Sequence, residues 1–197
     1  MDYTAKILGH TLEYFDEGHL YLVDGVALPS ITGMLKPKSK YNGINSETLK
    51  RAAEAGTEVH EAIERYCKTG YSSTLPEVRN FQFLQRHYRF TVLENETPVI
   101  LFSDNEPIAA GRLDMVIRMD GATGGADIKR VATLNKEYLA YQLNLYRIAY
   151  RQCYGIQWDF LRGIQLKDDI RRFVRIPINE DAAWEYVYKY MKGERTY

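Results

Sequence analysis

The stretch from Ile108 to Val131 constrains the fold most. Two segments that read as strands, Ile108 to Met119 and Gly125 to Val131, are separated by Asp120-Gly121. That dipeptide accepts the positive φ angles of a tight two-residue turn, so the spacing predicts an antiparallel hairpin. Folding about Asp120-Gly121 pairs residues whose numbers sum to 241, which sets Asp114 opposite Asp127. Strand side chains alternate, so Asp127 and Lys129 share a face, with Cα atoms roughly 6–7 Å apart, and Ile128 points away.

Two carboxylates directly opposed across strands, with Cβ atoms about 4.5–5.5 Å apart, repel and weaken the sheet. A bound divalent cation reverses that penalty. Oxygen ligands suit Mg²⁺ or Mn²⁺. A lysine beside such an ion can orient water or stabilise a pentavalent phosphorus transition state. Two other readings stay open. Asp127 and Lys129 can form a plain ion pair between strands, and a bulge at Gly124-Gly125 would send Asp114 to the opposite face.

Around this hairpin the periodicities give an order of helix, helix, three strands, helix, two strands, helix. Ser46 and Glu47 open a helix on which Leu49, Ala52, Ala53, Gly56, His60, Ile63 and Cys67 recur at helical spacing, ending near Gly70. A second helix follows Pro76. Thr91 to Phe102 forms the strand before the hairpin. A long helix runs from about Asn135 to Cys153 with Leu139, Leu143, Tyr146 and Tyr150 inward. Strands near Trp158 to Leu166 and Arg171 to Ile176 follow, then a helix capped by Asn179. The expected fold class is α/β, a mixed central sheet flanked by helices. With 197 residues the chain suits one domain, residues 1–197, in which 1–45 form an N-terminal β-hairpin (Leu12 to Val23) and loop extension, mostly irregular over Val26 to Lys40.

Several side chains outside the hairpin carry chemistry. His60 shares a helix face with Gly56 and Glu64, near the apolar stripe. It reads either as a hydrogen-bonded core histidine or as a neutral imidazole ligand, and Glu64 as a solvated helix charge. Gly56 in a helix interior costs about 1 kcal/mol against alanine, which suggests close approach of another element or of DNA. Gln142, on the buried side of the long helix, must be hydrogen-bonded, either holding Lys129 or a substrate phosphate or making a structural polar contact. Lys36, Lys38, Lys40, Lys50 and Arg51 form one basic group, and Arg162, Lys167, Arg171, Arg172 and Arg175 another; each is either a solvated face or a phosphate contact.

The net charge of +0 gives no overall basic footprint. Two cysteines, Cys67 and Cys153, cannot supply four thiolates, so no iron–sulfur cluster is expected. No apolar run approaches the roughly 20 residues of a membrane span. The N-terminal stretch lacks a basic region followed by an apolar one, so a cytoplasmic protein is expected.

In chain order these elements are Gly56-x-x-x-His60, Gly111-x-x-Asp114, Asp127-x-Lys129 and Gln142-x-x-x-Tyr146. Together, over about residues 46–150, they resemble the RecB-like exonuclease branch of the PD-(D/E)XK nuclease superfamily. The stretch His19 to Gly25, followed by Pro29-Ser30-Ile31-Thr32, is similar to the opening of phage-encoded members. The resemblance implies a restriction-endonuclease-like core and a Mg²⁺- or Mn²⁺-dependent deoxyribonuclease with one or two ions. It implies an exonuclease of phage DNA recombination, repair or processing in the bacterial host cytoplasm, with a structure-specific endonuclease or a silent DNA-binding module as alternatives. It assigns Asp114, Asp127, the Ile128 carbonyl and His60 as metal ligands. Glu96, rather than Glu94, becomes the acid of the preceding strand. Lys129 positions or activates water, and Gln142 and Tyr146 orient the site or the DNA. DNA is the implied partner, with a single-strand annealing or other recombination protein beside it, and a homo-oligomer stays open. Two features depart from relatives: the four-cysteine cluster of some is missing, and Arg130 stands where many have a small hydroxyl residue after the lysine. No GxxxxGK[ST] motif is present, so ATP-driven unwinding would need a partner.

Overall fold

A computed structural model describes residues 2–35 and 46–194 of the chain. The first four strands, β1 (Tyr3–Ile7), β2 (His10–Phe15), β3 (Leu20–Val23) and β4 (Val26–Leu28), form an antiparallel sheet in the order β1-β2-β3-β4. A short helix, α1 (Ile31–Met34), follows, capped by the Ser30 hydroxyl, which accepts from the Gly33 amide at 2.8 Å. The expected hairpin is thus the middle of a four-stranded meander, and the described part of the stretch after it holds a strand, Val26–Leu28, and a helical turn, Ile31–Met34, rather than an irregular loop. Asp24-Gly25, with φ of 51° and 79°, turns β3 into β4, using the same turn residues as Asp120-Gly121. Lys36, Lys38 and Lys40, and the side chain of Ser46, lie outside the described residues.

Two helices come next, α2 (Ser46–Thr69) and α3 (Pro76–Tyr88), then β5 (Thr91–Ser103), β6 (Glu106–Met119) and β7 (Ala122–Lys129). Helix α4 (Lys136–Tyr154) crosses over to β8 (Phe160–Lys167), which is followed by β9 (Ile170–Ile176) and α5 (Glu180–Met191). The second sheet has the order β5-β6-β7-β8-β9, with β7 and β8 parallel and every other pair antiparallel. A parallel pair needs a long connection, and α4 is that connection. Its ends are set locally: Asn135 Oδ1 accepts from the Tyr138 amide at 3.1 Å, and Gly155 terminates it at φ 72°.

The five-stranded sheet is covered on both faces. Val59, Ile63, Val78, Phe81 and Leu84 of α2 and α3 pack with Met115, Ile117, Ala126, Ile128 and Ile164. On the other side Leu139, Leu143, Tyr146 and Tyr150 of α4 pack with Val99, Leu113, Val116 and Leu161. Leu12, Tyr14, Tyr21 and Val23 of the small sheet belong to that same core. The N-terminal segment is therefore packed into the main core instead of hanging from it. Among the described residues no helix is long and apolar enough to cross a membrane.

The hairpin register holds as expected: Met115 pairs with Ala126, Val116 with Gly125 and Met119 with Ala122, with no bulge at Gly124-Gly125. Those glycines serve packing. A Cβ on Gly124 would run into the Phe160 ring, and one on Gly125 into the Trp158 indole. The irregularities lie instead between β5 and β6, at Val92/Glu94 and Leu101/Phe102. Gly56 also departs from expectation, since a Cβ there would meet nothing within 4 Å. Among the described residues no other element comes that close to it.

Candidate metal centre

The β6–β7 ladder stops at Met115 and Ala126, one position short of Asp114 and Asp127. Beyond that pair a side chain continues the bonding: Asp114 Oδ2 accepts from the Ile128 amide at 2.7 Å. The two aspartates are next in register but have different partners. Asp127, 1% exposed, receives the Gln142 amide Nε2 on Oδ1 at 2.6 Å and sets Oδ2 2.6 Å from Lys129 Nζ. Gln142 is thus buried and bonded as expected, but its partner is Asp127 instead of Lys129.

His60 approaches from α2. Its Nε2 lies 3.1 Å from the Ile128 carbonyl oxygen, while Nδ1 lies 3.6 Å from Asp114 Oδ2 and 3.7 Å from Glu96 Oε1. Glu96 is brought there by register: Asn95 pairs with Met115 and Thr97 with Leu113, which leaves Glu96 beside Asp114. Glu94, the other acid of β5, is occupied elsewhere, accepting from Tyr150 Oη at 2.6 Å and Thr97 Oγ1 at 3.0 Å. One ligand atom each from His60, Glu96 and Asp114 lies within 4.8 Å of the others. Ligands at about 2.1 Å from an octahedral ion would sit roughly 3 Å apart in cis and 4.2 Å apart in trans. The His60–Asp114 and His60–Glu96 separations fall between those limits; the two carboxylates suit Mg²⁺ or Mn²⁺, whereas an imidazole is more typical of Zn, Fe, Cu or Ni sites. The residues present therefore fit such an ion. Asp127 stands outside this tight group, held by Gln142 and Lys129.

The charges are strongly coupled. Burial pushes the Asp127 carboxyl up, and the nearby Asp114 adds to the shift, with Lys129 and His60 opposing. Burial disfavours the His60 cation, yet Asp114, Glu96 and Asp127 outweigh it and raise the imidazole to about 9. Lys129 is likewise held above its ordinary value by Asp127 and Asp114, against the cost of burial. The cluster thus gathers positive charge around carboxylates, an electrostatic demand that a divalent cation also meets.

Tyr146 supports the centre from below. It is 4% exposed, and its ring fills the space above Gly111: a Cβ there would lie 2.9 Å from Tyr146 Cε1 and 3.1 Å from its hydroxyl oxygen. The Gly111-x-x-Asp114 and Gln142-x-x-x-Tyr146 motifs therefore meet in space. Glycine at 111 lets the tyrosine in, one helical turn after the glutamine that holds Asp127.

The site opens into a cleft of two adjoining lobes. One, of about 760 Å³, is lined by His60, Glu96, Arg112, Asp114, Lys129 and Tyr146. The other, of about 1030 Å³, runs past Lys129 and Gln142 along the start of α4. His19, Tyr21 and Thr32 line both lobes, so the N-terminal meander forms a wall of the cleft. Nothing in the local pattern of these residues marks them as cleft residues. Arg112 was also not singled out by sequence, although it adjoins a motif residue. Its Nε lies 2.6 Å from Glu96 Oε2.

Other sequence candidates are paired or packed outside the His60–Glu96–Asp114 group, although Glu64 lines the same lobe of the cleft. Glu64 pairs with Lys68 one turn along α2, Lys50 with Glu54, and Arg51 with Glu47. Arg130 bonds the buried Glu77 at 2.8 Å and so ties β7 to α3. Arg162 lies over the Phe160 and Phe173 rings and Arg171 over Phe83.

These features define an α/β protein with a mixed five-stranded sheet flanked by helices and a polar cleft at the end of its central hairpin. No protein-family model matches the chain, and no curated protein does. It is similar to the solved structure described as "Crystal structure of SSO0001", with a TM-score of 0.42 and 13% identity over 84% of this chain and 74% of that one. A likeness at that level carries no argument about fold family or activity.

Proposed function

We propose that this protein is a divalent-metal-dependent deoxyribonuclease with a PD-(D/E)XK core of the RecB-like kind, acting on DNA ends. The observation that carries the reading is the convergence of His60, Glu96 and Asp114 within 4.8 Å, with the Ile128 carbonyl and the Lys129 ammonium in the same site. The four motifs, distant in sequence, supply one site.

A bound Mg²⁺ or Mn²⁺ supplies Lewis-acid polarisation of the phosphate and a more acidic water. His60, Glu96, Asp114 and the Ile128 carbonyl are the groups that would hold it, and Asp127 stands next to them. Lys129 presents a fixed positive charge to a phosphate in the cleft and stabilises negative charge developing on its oxygens. Asp127 anchors that ammonium, and Gln142 anchors Asp127. Tyr146, buried, lines the helix side of the site.

The test is degradation of linear, end-labelled duplex and single-stranded DNA in Mg²⁺ and Mn²⁺ by wild type and Lys129→Ala. Metal-dependent cleavage that is lost or strongly reduced in the variant is expected. Cleavage of covalently closed circles would replace the exonuclease by an endonuclease. DNA binding without cleavage by either protein would sink the nuclease and leave a binding module.

A further inference from the structure

We propose that Arg112 is a positioning residue for the metal centre: held against tyrosines of the N-terminal sheet, it fixes one oxygen of Glu96 so that the other faces His60 and Asp114. The inference rests on the reading of His60, Glu96 and Asp114 as the ligands of an ion.

The Glu96 carboxylate is divided between two neighbours. Oε2 lies 2.6 Å from Arg112 Nε, and Oε1 lies 3.7 Å from His60 Nδ1. Glu96 also has a φ of 51° within β5, a left-handed conformation that a non-glycine residue keeps only when its surroundings impose it. The Arg112 ion pair is one such constraint. Arg112 is itself restrained. Its guanidinium carbon lies 5.7 Å from the centroid of Tyr3 and 5.6 Å from that of Tyr14, and those two rings stack on each other at 5.3 Å. Tyr14 in turn packs on Tyr21 at 4.8 Å. A planar guanidinium stacked on rings leaves its edge to meet a carboxylate in one orientation.

The arginine has two opposing effects on an incoming cation. Its charge repels the ion, while its geometry keeps Glu96 turned toward the other ligands. A lysine at 112 would keep the repulsion and lose the geometry, because a flexible ammonium is free to reach either Glu96 oxygen. A glutamine would lose both. Positioning therefore predicts an order of affinity in which wild type is tightest, Arg112→Gln intermediate and Arg112→Lys weakest. A role confined to packing or to the ion pair predicts the reverse order for the two variants, with lysine closest to wild type.

The experiment is titration of the full chain with Mn²⁺, with free ion followed by electron paramagnetic resonance and folding checked by circular dichroism. Arg112→Lys is expected to weaken Mn²⁺ binding on the order of 10-fold or more, the scale on which groups behind metal ligands act. In a Glu96→Gln background the same change is expected to have no further effect, since Arg112 acts through Glu96. Equal affinities for the three proteins, lysine outperforming glutamine, or an undiminished effect without Glu96 would each overturn the role. Wild type failing to bind Mn²⁺ at all would overturn the metal centre itself, a result separate from any ranking of variants.

Discussion

Replacing Gly111 by alanine tests whether the two motifs meet as the structure shows. The added Cβ would sit 2.9 Å from Tyr146 Cε1 and 3.1 Å from its hydroxyl oxygen, with Ile31 Cδ1 at 3.4 Å. Carbon atoms pack at about 3.5–4.0 Å, so the ring would have to retreat by roughly 0.6 Å or more. Tyr146 is 4% exposed and enclosed by α4 and the sheet, which leaves it little room to do so. Overpacking of this kind costs about 1–3 kcal/mol. Alanine should also regain about 0.5–1 kcal/mol over glycine in a strand interior. The difference, about 0–2.5 kcal/mol, makes a net loss near 1 kcal/mol the expected outcome for Gly111→Ala. In a Tyr146→Leu background the obstructing ring is gone, and the same change should be neutral or stabilising. Urea denaturation of the four proteins gives the cycle, with an expected coupling of about 1–3 kcal/mol between the sites. Effects that add within about 0.3–0.5 kcal/mol would refute the contact.

Other perturbations follow from neighbouring geometry. Gly56→Ala should stabilise the protein by about 1 kcal/mol, because its Cβ meets nothing, whereas Gly125→Ala should abolish soluble folded protein, because Trp158 occupies the space; thermal melts and soluble yield read both. Gln142→Ala removes the donor to the buried Asp127 carboxylate and should lower the urea-derived stability of the metal-free protein by about 1.5–3 kcal/mol. An unchanged midpoint would show that this bond holds nothing. Burial pushes the Cys67 and Cys153 thiols up to about 11, from an ordinary value near 9. Both should resist a thiol reagent at pH 8 in the folded protein and react on denaturation. The sign for stability is the same: raised thiol values favour the fold below pH 9, and that contribution fades as pH climbs toward 11.

Much of the local structure was legible without coordinates. Asn135 and Asn179 cap α4 and α5 as their side-chain chemistry requires, and Asp120-Gly121 turns β6 into β7 in the expected register. The inward stripe of α4 at Leu139, Leu143, Tyr146 and Tyr150 follows directly from helical periodicity. Asp24-Gly25 carried the same turn signal and would have revealed β4. These features are local: a cap, a turn or a stripe depends on residues within a few positions of one another.

Long-range relations are different in kind. Sequence alone determined that an acid at 114 and an acid and a lysine at 127 and 129 would stand at one end of a hairpin. Only the tertiary structure decided that Asp127 goes to Gln142 and Lys129; His60 and Glu96 beside Asp114 were an expectation of the family resemblance, for which the tertiary structure supplies the distances. Glu96 reaches the site through the β5–β6 register across a bulge, and Arg112 through an ion pair braced by tyrosines about 100 residues earlier in the chain. Alternation along a strand says which residues share a face, but not which helix covers that face or where a ladder ends. Those outcomes depend on how all the buried side chains fill one volume, as Gly111 yielding space to Tyr146 and Gly125 to Trp158 make plain.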